Sequence, residues 1–257
     1  MANKTKQQER DRRAKVEAMR KAQQARERRK SMIFVVLAVV LGLGLVAAAA
    51  VPAYLQSRND PANKALAEFG VPAAKADCGE VVSEPATGNN VHEPDGTVVD
   101  YDTVPPSSGP HWGAPAFPAR AFYTARDRPE MEQLVHNLEH GYTILWYDQT
   151  IADDDSALQV VEDLAGRFDI DPADADADEY DANKFIAAPW NVDDAEDGDD
   201  FPGGAHVALT HWAAEGDDAI EGQGMGVWQY CDQPSGEAVQ EFMDEYPASN
   251  TMEPGAA

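Results

Sequence analysis

The apolar positions of this chain fall into one long unbroken run and a series of short patterned segments. Met32–Val51 is a run of 20 almost wholly apolar residues, and no charged residue occurs from Ser31 to Ser57. At the rise of an α-helix such a run spans about 30 Å, the thickness of a bilayer's hydrocarbon core. Beyond it the pattern changes to that of a folded domain. Pro129–His140 predicts a helix, with Pro129 in the first turn, Glu130 and Glu132 at its positive start and Gly141 at the left-handed stop. Ser156–Ala165, capped by Ser156 and stopped by Gly166, and Ser235–Tyr246, stopped by Pro247, predict two more. Asp60–Gly70 predicts a short helix after the apolar run. Strands are expected at Thr97–Tyr101, Ala121–Thr124, Tyr142–Tyr147, Lys184–Ala188, His206–Trp212 and Met225–Cys231, which are rich in β-branched and aromatic residues. Val104–Pro118 carries five prolines and two glycines and reads as a rigid extended loop.

Strands and helices are interleaved without strict alternation, so the expected fold class is α+β, with a mixed or antiparallel sheet. The expected organisation is a basic cytoplasmic arm at 1–30, a transmembrane helix at 31–54, a juxtamembrane linker or helix at 55–75, a single extracytoplasmic domain at 76–250 and a tail at 251–257.

Charge sharpens that division. The chain has 20 Lys+Arg against 46 Asp+Glu, a formal net charge of −26. Residues 1–30 hold 12 basic and 4 acidic residues, and no Lys or Arg follows Lys184. Arg26, Arg28, Arg29 and Lys30 abut the apolar run, which places the N-terminus in the cytoplasm and the bulk of the chain outside. The rival reading is a cleaved signal peptide ending near Val51-Pro52-Ala53; the long charged segment ahead of the run favours an uncleaved anchor. The acidic outer part would repel nucleic acid. It also predicts a salt-loving or salt-tolerant source, because self-repulsion is relieved by screening. The Asp174, Asp176, Asp178 spacing and Asp193–Gly204 begin like calcium loops, but both lack the bidentate Glu at the last position, so solvated acidic loops are the simpler reading.

Both cysteines, Cys78 and Cys231, lie beyond the span, where disulfides persist, and one intramolecular pairing is available. By the chain-entropy model so long a loop is worth at most about 5 kcal/mol.

All six histidines also lie beyond the span. His136 and His140 are one turn apart on the same helix face, roughly opposite Met131, Leu134, Val135 and Leu138. An i,i+4 pair can place two imidazoles around one ion. Two readings stay open for His111, His136 and His140, with His92 as a fourth candidate. They share a transition metal, copper or zinc, or they are structural, holding helix-end and loop carbonyls. His136-Asn-Leu-Glu139-His140 also matches H-x-x-E-H, in which Glu139 would activate a metal-bound water. That helix ends directly after His140 and no later helix offers a third Glu ligand, so the balance is against an enzyme. His206 and His211 point to opposite faces of one strand and are not expected to share an ion. Met225, a soft donor in principle, reads as core.

Pro105-Pro-Ser-Ser-Gly-Pro-His111, then Leu134-Val-His136-Asn-Leu-Glu139-His140-Gly141 and the aromatic strand through Tyr147, resemble the bacterial domain-of-unknown-function 3105 family. Cys78-Gly79, His92, Tyr101, Ala187-Ala-Pro189 and Val207–Trp212 look like further landmarks, so the resemblance covers roughly residues 76–250. It implies a single-span or secreted protein with a compact outer domain, and it singles out His92, His111, His136, Glu139 and His140. It supplies no reaction. The chain departs from the family pattern at Thr210-His211-Trp212, which keeps His211 out of any site carried over. The functional expectation is therefore a membrane-anchored outer domain that binds a metal. The alternatives are a non-catalytic interaction or assembly module that meets a protein partner at the cell surface, and a metal-dependent hydrolase.

Overall fold

The uncharged run lies inside one continuous helix, α1 (Ala2–Asn59). The computed structural model describes residues 2–59, 61–169, 183–194, 200–216 and 219–256. Two units are distinguished, Met1–Asn59 and Asp60–Ala257. Within the first, the helix is long and apolar enough to cross a membrane. Its large apolar side chains from Met32 to Val51 are exposed, a surface that suits lipid rather than water.

The second unit is built on a five-stranded mixed sheet. Its strands are β1 (Val82–Pro85), β4 (Thr143–Tyr147), β5 (Phe185–Pro189), β6 (Val207–Ala213) and β7 (Met225–Cys231), in the order β1-β7-β6-β4-β5. Only β4 and β5 run parallel. The crossover between them carries α3 (Gln149–Asp153) and α4 (Asp155–Ala165), as a parallel connection requires. A separate two-residue parallel pair joins β2 (His92–Glu93) to β3 (His111–Trp112). The remaining α-helices among the described residues are α2 (Met131–Glu139) and α5 (Gly236–Glu245). The fold is α+β.

Both faces of the sheet are covered, and the period of two along each strand sorts its residues between them. Leu145, Tyr147, Phe185, Ala187, Val207, Leu209 and Val227 face one core, closed by Val161 and Leu164 of α4 and Val239 and Phe242 of α5. Ile144, Trp146, Ile186, Ala188, Ala208 and Trp212 face the other, closed by Leu134, Val135 and Leu138 of α2. Cys78 and Cys231 form a disulfide that ties the start of this unit to the end of β7.

Three local expectations are corrected. Thr97–Tyr101 is not a strand. Its polar backbone is satisfied by side chains instead: the Thr97 carbonyl accepts from Trp112 Nε1 and the Val99 N–H donates to Glu132. Val98 is left exposed. Asp60–Gly70 gives two 3-10 turns, at Pro61–Asn63 and Leu66–Glu68, rather than one helix. The cap of α4 is Asp154, not Ser156; Asp154 Oδ1 accepts from the Ser156 and Ala157 backbone N–H groups, a stronger charge-assisted cap.

Candidate functional site

α2 positions the site. The Glu130 N–H donates to Gln133 Oε1 to close its first turn. His140 caps its end, and Gly141 follows at φ 92°. A Cβ at Gly141 would stand 2.5 Å from the Ala248 carbonyl oxygen, so a glycine is required there by both conformation and space. One face of α2 enters the apolar core. The opposite face, with Glu132, His136, Glu139 and His140, is buried as well, because the loops carrying β2 and β3 lie across it and bond to it. Val99 N–H donates to Glu132 Oε1 at 3.0 Å, and Asn90 N–H donates to Glu139 Oε1 at 2.8 Å. His136 Nδ1 meets the Trp112 carbonyl at 2.6 Å. The register His92↔His111 in the β2–β3 pair sets those two rings side by side over α2.

The outcome is a group of four side chains, His92, His111, His136 and Glu139, whose ligand atoms all lie within 4.8 Å of one another. Glu139 Oε2 is 2.9 Å from His111 Nε2, 3.9 Å from His92 Nε2 and 4.0 Å from His136 Nε2. Ligand bonds of about 2.0–2.2 Å in a tetrahedron place donor atoms roughly 3.3–3.6 Å apart, so the group is within a small adjustment of first-shell spacing. His111, His136 and Glu139 are buried, whereas the His92 side chain is 42% exposed and forms the solvent side.

Hydrogen bonds at the back of the rings orient their front nitrogens. His111 Nδ1 meets the Gly109 carbonyl at 2.8 Å. A carbonyl can only accept, so Nδ1 is the donor in both His111 and His136, and in the neutral rings Nε2 carries a lone pair into the group. Such outer contacts are the usual means of fixing a ligand imidazole. Burial is the main influence on His136 and pushes its pKa down to about 4, against the Trp112 carbonyl, which favours the charged form. This ring is therefore neutral near pH 7. Burial pushes the Glu139 carboxyl up, but its contacts with the His111 ring, the Asn90 N–H and the His136 ring outweigh it, leaving the carboxyl below its ordinary value.

The approach of His111 Nε2 to Glu139 Oε2 is not aligned as a hydrogen bond. Among the described residues both atoms are buried side-chain atoms without a hydrogen-bond partner. An imidazole lone pair and a carboxylate oxygen, facing each other at 2.9 Å out of water, repel unless a proton or a metal ion stands between them.

His140 belongs to an adjoining group, Glu139, His140 and Glu253. Its Nε2 is 3.0 Å from His136 Nε2 and 3.4 Å from Glu253 Oε2. Of the trio proposed from sequence, His136 neighbours both others, its ring centroid 4.7 Å from that of His111, 4.6 Å from that of His140 and 5.1 Å from that of His92, but His111 and His140 fall in separate groups. Glu139 stands among the ligand atoms with its side chain fully buried, rather than beside an open cleft as the base of H-x-x-E-H would require.

The other candidates lie apart. His206 Nδ1 pairs with Asp148 Oδ2 at 2.8 Å. His211 is fully buried against the Tyr142 and Asn250 carbonyls, and burial depresses its pKa. Met225 is in the core. Asp174–Asp178 lies outside the described residues, as does part of Asp193–Gly204.

Two contributors carried no signal in the sequence. Glu253 falls in a segment without periodicity. Lys184 shows in the sequence only as the start of a strand, yet its buried ammonium donates to the His140 carbonyl at 2.9 Å and the Ala256 carbonyl at 2.8 Å. It neutralises the negative end of α2 and fixes the C-terminal segment beside it.

Residues 92–193 match the family described as Protein of unknown function (DUF3105). That segment is similar to the DUF3105 family; it includes His92, His111, His136, Glu139 and His140 and stops before Glu253. Neither the curated proteins nor the solved structures offer a match to the chain.

Proposed function

We propose that the domain beyond Asn59 binds a transition-metal ion, copper or zinc, through His92, His111, His136 and Glu139. The observation that carries the reading is the buried contact of His111 Nε2 with Glu139 Oε2 at 2.9 Å, two acceptors aimed at each other without a hydrogen bond. A cation converts that repulsion into two bonds. Imidazole nitrogen with one carboxylate oxygen suits zinc and copper, and a hard oxygen-seeking ion such as calcium is disfavoured. The half-exposed His92 gives an ion its route in and leaves an edge where an exchangeable ligand can add.

α1 anchors this domain to a membrane, with the basic arm on the cytoplasmic side, and the disulfide fits an oxidising compartment outside. The domain's acidity suits a salt-rich exterior.

The test is elemental analysis of the full chain, solubilised in detergent, exposed to zinc or copper and desalted. Retention of metal, and its loss in a His111→Ala, His136→Ala variant, is expected. A wild type that retains neither metal refutes the reading.

A second reading is favoured by one observation: His111 and His136 each hold a loop carbonyl, Gly109 and Trp112, through Nδ1. On this reading the histidines fasten the Pro-rich loop to α2, and the domain is an interaction module for a protein partner. It predicts that both alanine variants loosen the loop and that metal changes nothing.

A further inference from the structure

We propose that the centre is dinuclear, with a second divalent transition-metal ion held by His140, Glu253 and Glu139 beside the first. The inference rests on the metal-binding reading above and extends it. Four observations support it.

First, Glu139 belongs to both groups, and the donor atoms of the second also lie within 4.8 Å of one another. A carboxylate shared in this way is the usual bridge between two ions, which sit about 3.5–4 Å apart. Second, Glu139 Oε2 is a fully buried acceptor with no hydrogen-bond partner, aimed into the space that the two groups share. Third, His136 Nε2 and His140 Nε2 approach to 3.0 Å, and the Nδ1–H of His136 is committed to the Trp112 carbonyl. The His136 Nε2 lone pair thus accepts from His140 Nε2–H, so the two groups meet at hydrogen-bond distance, close enough for their ligands to serve adjacent ions.

Fourth, Glu253 is held in place by a built segment. The Glu253 N–H donates to the Glu139 carbonyl at 3.1 Å, and Thr251 Oγ1 donates to that same carbonyl at 2.7 Å. Lys184 ties Ala256 to the His140 carbonyl at the end of α2. The segment thus delivers the Glu253 carboxylate to 3.4 Å from His140 Nε2 while leaving its side chain 36% exposed.

Each position keeps a solvent side, at His92 for the first ion and at Glu253 for the second, where water or a small bridging anion can bind.

The experiment is the zinc stoichiometry of the full chain in detergent, after loading and desalting, for the wild type and for Glu253→Gln. Glu253→Gln keeps the backbone bond to Glu139 and changes a partly exposed side chain, so the fold and the first position are retained; an intact disulfide and unchanged tryptophan emission report this. Two zinc ions per chain are expected in the wild type and one in the variant. One ion in the wild type overturns the dinuclear centre and leaves the proposed function standing. Retention of neither zinc nor copper overturns both. Two ions in Glu253→Gln overturn the assignment of Glu253. Copper(II) loading gives a second readout: coupled ions in the wild type give a half-field electron paramagnetic resonance signal or no signal, and Glu253→Gln gives the ordinary signal of one isolated ion. A wild type loaded with two copper ions that shows the full signal of two uncoupled ions contradicts a shared bridge.

Discussion

His111 Nε2 stands 2.9 Å from Glu139 Oε2, and both side chains are fully buried. One residue reaches this point from the loop at β3 and the other from the last turn of α2, and neither atom has a hydrogen bond. The relationship separates a binding site from a structural ion pair by the sign of a mutation. Glu139→Gln removes the charge yet can still accept the Asn90 N–H, and its amide can donate to the His111 lone pair. If the pair exists for a cation, the variant's metal affinity falls at least 100-fold while its metal-free form is stabilised. Relieving an unsatisfied buried group is worth about 1–3 kcal/mol, and each kcal/mol raises the melting temperature by roughly 2–4 °C at this size. Thermal melts with and without chelator check both halves. A structural ion pair gives the opposite sign, a lower melting temperature.

Acid should destabilise the metal-free domain from about pH 6.5 downward. Burial holds His136 neutral to about pH 4, whereas the unfolded chain takes up that proton near 6.5. Over this interval the unfolded state binds more protons, so stability falls as pH falls. Its loss is on the order of 3 kcal/mol for this group. The depressed pKa of His211 acts in the same direction, as does that of Glu139 at the acid end. Melting curves in chelator between pH 7.5 and 4.5 should show the slope, flattened in His136→Leu. A melting temperature flat across this range would contradict it.

Lys184→Met should be strongly destabilising although its aliphatic volume is kept. The ammonium donates to the His140 and Ala256 carbonyls, and each buried acceptor left unpaired costs about 1–3 kcal/mol. Urea denaturation should show a lower midpoint with little change in slope, and zinc bound at the Glu253 position should be lost before zinc bound at the other.

The charge of the unit beyond Asn59 should make stability depend on salt. The chain's formal net charge of −26 includes a basic arm, so the unit beyond Asn59 is more acidic still. Molar salt shortens the Debye length to about 3 Å and removes most self-repulsion between exposed carboxylates. The melting temperature of the full chain should rise between low and molar NaCl. A constant or falling value would count against a fold adapted to salt.

The elements legible in the sequence are those whose local signals agree. Met225–Cys231 is β7. α2 begins after Pro129 and stops at Gly141 because its caps and apolar stripe point to the same boundaries. The shared face of His136 and His140 follows from helix geometry alone. What the sequence could not show depends on chain crossings far apart in number. Thr97–Tyr101 has the composition of a strand, but Trp112 and Glu132 take its backbone groups. The pairing of His92 with His111 needs a two-residue bridge too short to leave a pattern. The contact of Glu139 with His111 forms only once the Pro-rich loop is laid over α2. Glu253 reaches the site because Lys184, buried 1% exposed at the head of β5, fastens a segment that otherwise reads as a tail.

The most direct test is a calorimetric titration of the full chain in detergent with zinc and with copper, run beside His111→Ala. His111 is chosen because its ring is fully buried and its Nε2 closes the contact with Glu139. A site tighter than micromolar for at least one of the two ions, weakened at least 100-fold by His111→Ala, is the result predicted. No site tighter than micromolar for either ion, or equal affinity in the variant, would contradict a metal centre on α2.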